Sequence, residues 1–268
     1  MSANTMQTLG MIGGGVMGEA LLSRLVERGI LQPEAIWVSD PQATRRDLLS
    51  QQYGVQVTAD NAEVAARADV LLLAIKPQMF GAVTAALPPV QGSVISILAG
   101  ISIAQLEAAF PNRPVIRAMP NTPATIGAGM TAIAPGKHTQ PQDLAEAKQI
   151  FAAVGEVVEV PETWMDAVTG LSGSGPGYVA VLIEALSDGG VAVGLPRAVA
   201  LQLALQTVRG TAELLQTTGM HPAELKDRVT SPGGTTIAGI AQLEASGFRS
   251  ILIEAVRAAA NRSKELGS

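Results

Sequence analysis

The chain has 268 residues and no cysteine. That absence excludes disulfide cross-links, thiolate nucleophiles and zinc–thiolate sites. There are only two histidines: His138 lies in the polar stretch GKHTQPQD and His221 precedes a proline, so both read as loop residues rather than catalysts. No H-x-x-E-H-type spacing or carboxylate cluster suggests a bound metal. Charged residues make up 15% of the chain, where about a quarter is usual. The net charge of −5, with no block of Lys or Arg, speaks against a nucleic-acid partner. No apolar run approaches the roughly 20 residues needed to cross a bilayer, so no membrane partner is expected. The opening MSANTMQTLG lacks a basic segment followed by a long apolar one, so no signal peptide is read and the cytoplasm is the expected compartment.

What is abundant is apolar surface. Hydrophobic residues make up 47% of the chain and the mean hydropathy is +0.30. With few charges and no membrane span, the surplus reads as an interface between copies of the chain. The length allows two modest domains and a sizeable core.

Over the first 160 or so residues, short apolar runs alternate with amphipathic stretches, the pattern of a parallel α/β sheet. The expected strands are TLGMIG (8–13), AIWVSD (35–40), VQVT (55–58), VLLLAI (70–75), SVISIL (93–98), PVIRAM (114–119) and MTAIAP (130–135). Stretches such as GEALLSRLVERG and TRRDLLSQQYG read as the helices between them. The texture changes near PETWMDAVTGLSGSGPG, and from Tyr178 onward only helical patterns remain. YVAVLIEALSDGGVAVG and PRAVALQLALQTVRGTAELLQ are apolar on most faces and read as helices buried on several sides. The expected division is therefore a dinucleotide-binding domain over 1–163 and an all-α domain over 164–268.

GMIGGGVMGEALL places Gly13, Gly15 and Gly18 in the G-x-G-x-x-G spacing, after a strand and opening a helix. That spacing serves a tight turn, close approach of backbone to a pyrophosphate, and close helix–strand packing. The helix N-terminus adds unpaired N–H donors and the positive end of its dipole. At the end of the second strand, Ser39 and Asp40 fall where an adenosine ribose should lie. Asp40 there favours NAD(H), whereas Arg45 or Arg46 would neutralise the 2′-phosphate of NADP(H), so the two signals conflict. Asn61 either joins that site or caps the next helix. Lys76-Pro77 ends the fourth strand, where open α/β sheets place ligands; the lysine is a phosphate or ribose contact or a solvated loop charge. RAMPNTPATIGAGMT (117–131) holds Asn121 and Thr122 between prolines, a rigid polar loop suited to orienting a nicotinamide ring or simply a structural turn.

Late in the helical region, SPGGTT (231–236) interrupts the apolar pattern with a small, uncharged loop before IAGIAQLEAS. A Gly-Gly turn followed by Thr235 and Thr236 presents backbone N–H groups and hydroxyls at a helix N-terminus, a ready site for a carboxylate. The bland account is that a threonine acts only as an N-cap, worth about 1 kcal/mol.

Taken together, IGGGVMGEAL, AIKPQ, RAMPNTPA, DAVTGLSGSGPGYV, SDGGVAVGLPR and above all SPGGTTIAGIAQLEASGFR resemble the pyrroline-5-carboxylate reductase family over essentially the whole chain. The resemblance implies a Rossmann-like α/β N-terminal domain and an all-α C-terminal dimerisation domain, interlocked with that of a second subunit, in dimers that assemble further into decamers. It implies reduction of 1-pyrroline-5-carboxylate to L-proline with NADPH or NADH, NADPH slightly favoured. The cofactor positions it implies are Gly13, Gly14, Gly15, Val16, Met17 and Gly18 in the glycine loop, and Ser39, Asp40 and Asn61 at the ribose. Ala74, Ile75, Lys76 and Pro77, then Ala99, Gly100, Ile101 and Asn121, complete the set. For the substrate it implies Ser231, Gly233, Gly234 and Thr235 around the carboxylate and Thr236, the catalytic position, at the ring nitrogen, with Asn121, Glu162 and Arg228 nearby. Ser172 or Ser174 in GLSGSGPG lines the site or caps the next helix. The chain departs from many relatives after the second strand, where SDPQ replaces an Asn/Ser-Arg pattern, so the nicotinamide choice stays open. β-Hydroxyacid dehydrogenases share the architecture but use a helix lysine as a proton carrier, and Lys226 and Lys264 do not stand in such a setting.

Overall fold

The computed structural model describes residues 8–267; the stretch 1–7, part of the segment read above for a leader, lies outside the described residues. β1 (Leu9–Ile12), α1 (Val16–Glu27), β2 (Ile36–Ser39), α2 (Ala43–Tyr53), β3 (Gln56–Thr58), α3 (Asn61–Arg67), β4 (Val70–Leu73), α4 (Phe80–Ala85), β5 (Ser93–Ser96) and α5 (Ile103–Ala109) follow one another in βα alternation. β6 (Val115–Met119), β7 (Gly129–Pro135), α6 (Pro141–Ala152), β8 (Gly155–Glu159) and α7 (Met165–Val168) complete the sheet region. The sheet order is β3-β2-β1-β4-β5-β6-β7-β8.

Its central strands are apolar runs because both faces are covered. Successive side chains point to opposite faces. Leu9, Met11, Leu72, Ile95 and Ile116 therefore pack with Leu21, Leu22 and Leu25 of α1 and Phe151 of α6, while Ile12, Leu71, Leu73, Val94 and Val115 pack with Val64 of α3 and Leu106 of α5. Each such side chain contributes about 1.5–3 kcal/mol by leaving water.

The first six strands are parallel, but β7 runs antiparallel to β6. The expected all-parallel sheet is corrected here. A parallel return needs a crossover of a dozen or more residues, and the β6–β7 link is a short loop with one 3-10 turn, Thr122–Ile126. β8, parallel to β7, was not expected from the sequence. GEVVE has two glutamates and no fully buried residue, and only its Val157 packs partly against the core, so the strand rests mainly on its ladder. Its entry needs Gly155, whose φ is 150° and where a Cβ would lie 1.9 Å from the Gly129 carbonyl oxygen.

Contacts divide the chain into two compact units: the first runs to Ser174 and takes in the chain again from Ala258, and the second is Gly175–Arg257. The boundary expected near residue 163 thus falls inside the first unit. The reason is Met165 of α7, wholly buried in the sheet's second apolar cluster. A π-helical turn, Thr169–Gly173, closes this part, and Ser263 donates to Asp166 at 2.7 Å.

The second unit holds α8 (Gly175–Ala192), α9 (Arg197–Thr218), α10 (Pro222–Arg228), α11 (Thr235–Ala245) and the start of α12 (Phe248–Gly267). Gly190 lies inside α8, where glycine costs about 1 kcal/mol relative to alanine. It lets α9 approach, since a Cβ there would be 2.9 Å from that of Ala200. These helices were expected to be buried on several sides, and in the single chain they are not. Val181 is 66%, Val193 83%, Leu203 54% and Ile251 62% exposed, while the buried residues of this unit are Ser187, Ala200 and Ala204. Helices this apolar need a cover.

Candidate functional site

The three fingerprint glycines have three different physical reasons. Gly13 has φ 101°, and a Cβ on it would lie 2.5 Å from the carbonyl oxygen of Ala74, so it lets the β1 turn pass against the end of β4. A Cβ on Gly18 would meet the Gly13 carbonyl oxygen at 2.6 Å and the Met11 sulfur at 3.0 Å, so its absence seats α1 on β1. Gly15, the N-cap of α1, would have no protein atom within 4 Å of a Cβ. No side chain caps that helix, so the N–H groups of its first turn, beginning at Val16 and Met17, face open space. The residues present fit a dinucleotide diphosphate: an open cradle that a side chain would fill, at an uncapped helix N-terminus.

The ribose end is gathered by the sheet. The Gly13 N–H donates to Ser39 O at 2.8 Å, and Ser39, 1% exposed, donates its hydroxyl to Asn61 Oδ1 at 2.7 Å. Asn61 does not cap α3. Asp60 does, accepting from the Ala62 N–H at 2.8 Å, which leaves Asn61 facing β2. Asp40 accepts from the Gly14 N–H at 3.1 Å and the Gln42 N–H at 2.9 Å. Arg46 donates to the carbonyls of Asp40 and Pro41 at 2.8 and 3.0 Å. Arg45 reaches elsewhere: it donates to Gly14 O and pairs with Glu19 of α1. Tyr53 donates to the same carboxylate at 2.9 Å. Burial first, then the hydrogen bond to Glu19, pushes the Tyr53 phenol up from its ordinary value, so it stays a neutral donor. Spacing alone had not singled out Glu19 or Tyr53. Glu19 carries a first-turn acidic signal, but nothing local says that α2 comes to it.

The remaining expected cofactor positions follow the carboxyl ends of β4, β5 and β6, across from the glycine loop at the point where the chain order reverses between β1 and β4. The Ala74 N–H donates to Ile12 O at 2.8 Å, bringing Ala74 and Ile75 beside Gly13. Lys76 is exposed and Pro77 opens a short 3-10 turn. After β5, Ala99 is exposed and Gly100 and Ile101 are buried; Gly100 has φ 79° and lies against the end of α12, where a Cβ would be 3.2 Å from Leu266 O. Asn121 ends β6. Its Oδ1 accepts from the Met130 N–H at 2.8 Å and its Nδ2 donates to Ser172 O at 3.2 Å, so it ties the start of β7 to the π turn. Ser174 donates its N–H to Thr169 O at 2.8 Å, closing that turn. Glu162 accepts from the Ile103 N–H at 2.6 Å and from Arg117 at 3.2 Å, anchoring the N-terminus of α5 to β6.

In the second unit, residues 231–236 leave α10 and start α11. Gly233 has φ 68°, open to glycine and strained for other residues. A Cβ on Gly234 would lie 2.3 Å from Ser231 Oγ, so the turn closes over Ser231, whose carbonyl accepts the Gly234 N–H at 3.0 Å. Gly234 is the N-cap of α11 and no side chain caps that helix. Thr235 and Thr236 are therefore not caps; they are exposed residues of the first turn, offering N–H groups and hydroxyls together. Arg228 pairs with Glu224 one turn back at 2.8 Å, both exposed. His221, placed above in a loop, caps α10 by accepting from the Ala223 N–H at 3.2 Å. Among the described residues, no three His, Asp or Glu side chains gather as a metal site, and no helix is long and apolar enough to cross a membrane.

Comparison with known proteins gives the site a context. Residues 162–266 match a family described as pyrroline-5-carboxylate reductase dimerisation, and residues 8–100 match one described as NADP oxidoreductase, coenzyme F420-dependent. The chain is 61% identical over 261 residues to a pyrroline-5-carboxylate reductase of Synechocystis sp., covering 97% of this chain and 98% of that one. Among solved structures, it resembles a pyrroline-5-carboxylate reductase from Coxiella burnetii with a TM-score of 0.91 at 34% identity, covering 99% of this chain and 100% of the other. It also resembles a Plasmodium falciparum pyrroline carboxylate reductase solved with NADP bound, with a TM-score of 0.89, 32% identity and 100% of both chains covered.

Proposed function

Because the chain belongs to the pyrroline-5-carboxylate reductase family, we propose that its glycine loop and its 231–236 loop divide the work of one reduction. The enzyme converts 1-pyrroline-5-carboxylate to L-proline with NAD(P)H. The reduced nicotinamide, when bound, supplies the hydride for the imine carbon. The backbone N–H groups behind Gly15 hold the diphosphate, and Ser39, Asp40 and Asn61 meet the ribose. Lys76 and Pro77 line the end of β4, and Asn121 holds its polar loop in shape for the ring.

The observation that carries the substrate half is the uncapped first turn of α11. The substrate has one carboxylate. Ser231, Gly233, Gly234 and Thr235 grip it with N–H donors and the helix dipole, and no arginine is required. Thr236 bonds the ring nitrogen. A protonated imine is already electrophilic, so the protein need not provide a strong acid; orientation, with reacting carbons about 3–3.5 Å apart, does most of the work. Glu162 and Arg228 are engaged with Arg117 and Glu224, and the reading needs neither.

The reaction is tested by following reduced-nicotinamide absorbance with pyrroline-5-carboxylate and NADPH or NADH in parallel. Oxidation that depends on the imine is expected; none with either cofactor, on folded protein, overturns the reading. Thr236→Ala is expected to lower turnover some tens-fold with an unchanged melting temperature, the scale of one hydrogen bond that strengthens in the transition state. Wild-type turnover in that variant removes Thr236 from the mechanism.

NADPH is proposed as the somewhat preferred cofactor. Both oxygens of Asp40 already accept main-chain N–H groups, which blunts its repulsion of a 2′-phosphate, and Arg46 stands beside it. The protein self-associates through its helical part; that these dimers interlock and build decamers, and that the enzyme works in the cytoplasm, are further parts of the proposal.

A further inference from the structure

We infer that Arg45 is a positioning residue of the glycine loop, and not the cation for a 2′-phosphate that its place after the second strand suggests. The inference rests on the dinucleotide reading of that loop. Arg45 Nε donates to Gly14 O, its Nη2 lies 3.5 Å from Gly15 O, and the same nitrogen pairs with Glu19. The side chains of Arg45 and Glu19 are only 22% and 26% exposed. Three acceptors therefore already claim this guanidinium, in the forked geometry that arginine alone provides.

The consequence follows from peptide geometry. In a trans peptide unit the C=O and the next N–H point in opposite directions. A donor held against the carbonyl of Gly14 therefore aims the N–H of Gly15 away from Arg45. The Gly15 carbonyl also accepts the Glu19 N–H at 2.8 Å, so the first bond of α1 aims the Val16 N–H alongside it. These are the donors that the uncapped end of α1 offers to a diphosphate. A run of three glycines has more backbone freedom to lose than any other tripeptide. Ser39, Asp40 and Glu19 hold the planes on either side, and the Gly14–Gly15 plane between them is the one that Arg45 holds.

Charge supports the same role. Glu19 suits the dipole at the start of α1, yet an uncompensated carboxylate one turn from a diphosphate would repel it. Arg45 neutralises that charge, and Tyr53 donates to the other carboxylate oxygen, holding Glu19 on the arginine's side. Arg46 has the opposite disposition: it grips the carbonyls of Asp40 and Pro41 at the ribose end.

The test is a titration of the full-length protein with NADH and, separately, NADPH, followed by nicotinamide fluorescence without the imine, alongside turnover at saturating cofactor. Arg45→Gln is expected to raise both dissociation constants by the same factor, about tenfold, as for loss of one charge-assisted hydrogen bond. Turnover at saturation should stay within about twofold of wild type. Arg45→Lys, which keeps the charge but not the fork, should show a smaller loss, again equal for the two cofactors, and it carries the comparison if the Gln variant does not fold. Arg46→Gln is the contrast, expected to weaken NADPH more than NADH. A loss confined to NADPH in the Arg45 variants would make Arg45 the 2′-phosphate cation and overturn the inference, and so would unchanged affinity for both. Failure of the wild type to bind either dinucleotide would instead overturn the reading of the loop itself.

Discussion

Gly15→Asp is expected to weaken NADPH and NADH binding by more than 100-fold while leaving the protein as stable as before, or slightly more so. Gly15 has φ −66° and ψ −173°, extended backbone that any residue adopts. A Cβ there meets no protein atom within 4 Å, so the fold has no objection to a side chain. Aspartate is among the best N-caps and improves on glycine by a few tenths of a kcal/mol. The same carboxylate would occupy the diphosphate cradle. At about 4 Å and an effective dielectric near 20, the repulsion of one unit charge is on the order of 4 kcal/mol, and the added bulk only increases the loss. Gly13→Ala, two residues earlier, should behave in the opposite way. Its φ of 101° and a Cβ 2.5 Å from Ala74 O place the cost in the fold, about 1–3 kcal/mol for the backbone conformation alone. Thermal melting and cofactor titration of the two variants make the comparison. A Gly15→Asp protein that binds NADPH normally would mean the diphosphate lies elsewhere.

A double variant, Leu203→Asp with Leu205→Asp, is expected to break the assembly and much of the helical unit with it. The two positions lie about 200° apart around α9, so a partner on either flank meets a charge. In the single chain they are 54% and 48% exposed, and the substitutions remove almost nothing from one subunit's own packing. Buried against a second copy, each unpaired carboxylate costs several kcal/mol. Because this unit buries only small residues by itself, its stability is inseparable from subunit concentration. Sedimentation should show a smaller species, circular dichroism a lower helical content, and the wild-type melting temperature should rise with concentration. Wild-type sedimentation and melting in the double variant would mean that these leucines do not face a partner.

The central strands were legible because burial on both faces makes them apolar runs, and Leu9 to Ile12 or Val70 to Leu73 have nowhere else to go. β8 was not legible, since Gly155, Glu156 and Glu159 give a strand no hydrophobic signature when a ladder to β7 is what holds it. The direction of β7 depends on the short link after β6, a matter of connection length rather than of any residue in the strand. At the site, the glycine spacing marked a loop that the structure leaves open at Gly15, whereas Asn61 stood between site and cap and the cap is Asp60, because either short polar side chain suits that position until the helix start is known. Arg45 shows the limit most clearly. Its chemistry matched a phosphate, and only the approach of α2 to α1 commits it to Gly14 O and Glu19.

The sequence by itself determined the class of protein: an α/β sheet with a dinucleotide turn, a strongly apolar helical part, and a small donor-rich loop in place of charged catalytic groups. Those features are written in local terms, as periodicity, glycine positions and the scarcity of charge. The tertiary structure decided which donors are open and which are taken. That Gly15 faces empty space while Gly13 and Gly18 are packed, that the first turns of α1 and α11 have no side-chain cap, and that the helices leave their leucines uncovered in one chain all depend on residues far apart in sequence being brought together, or kept apart, by packing.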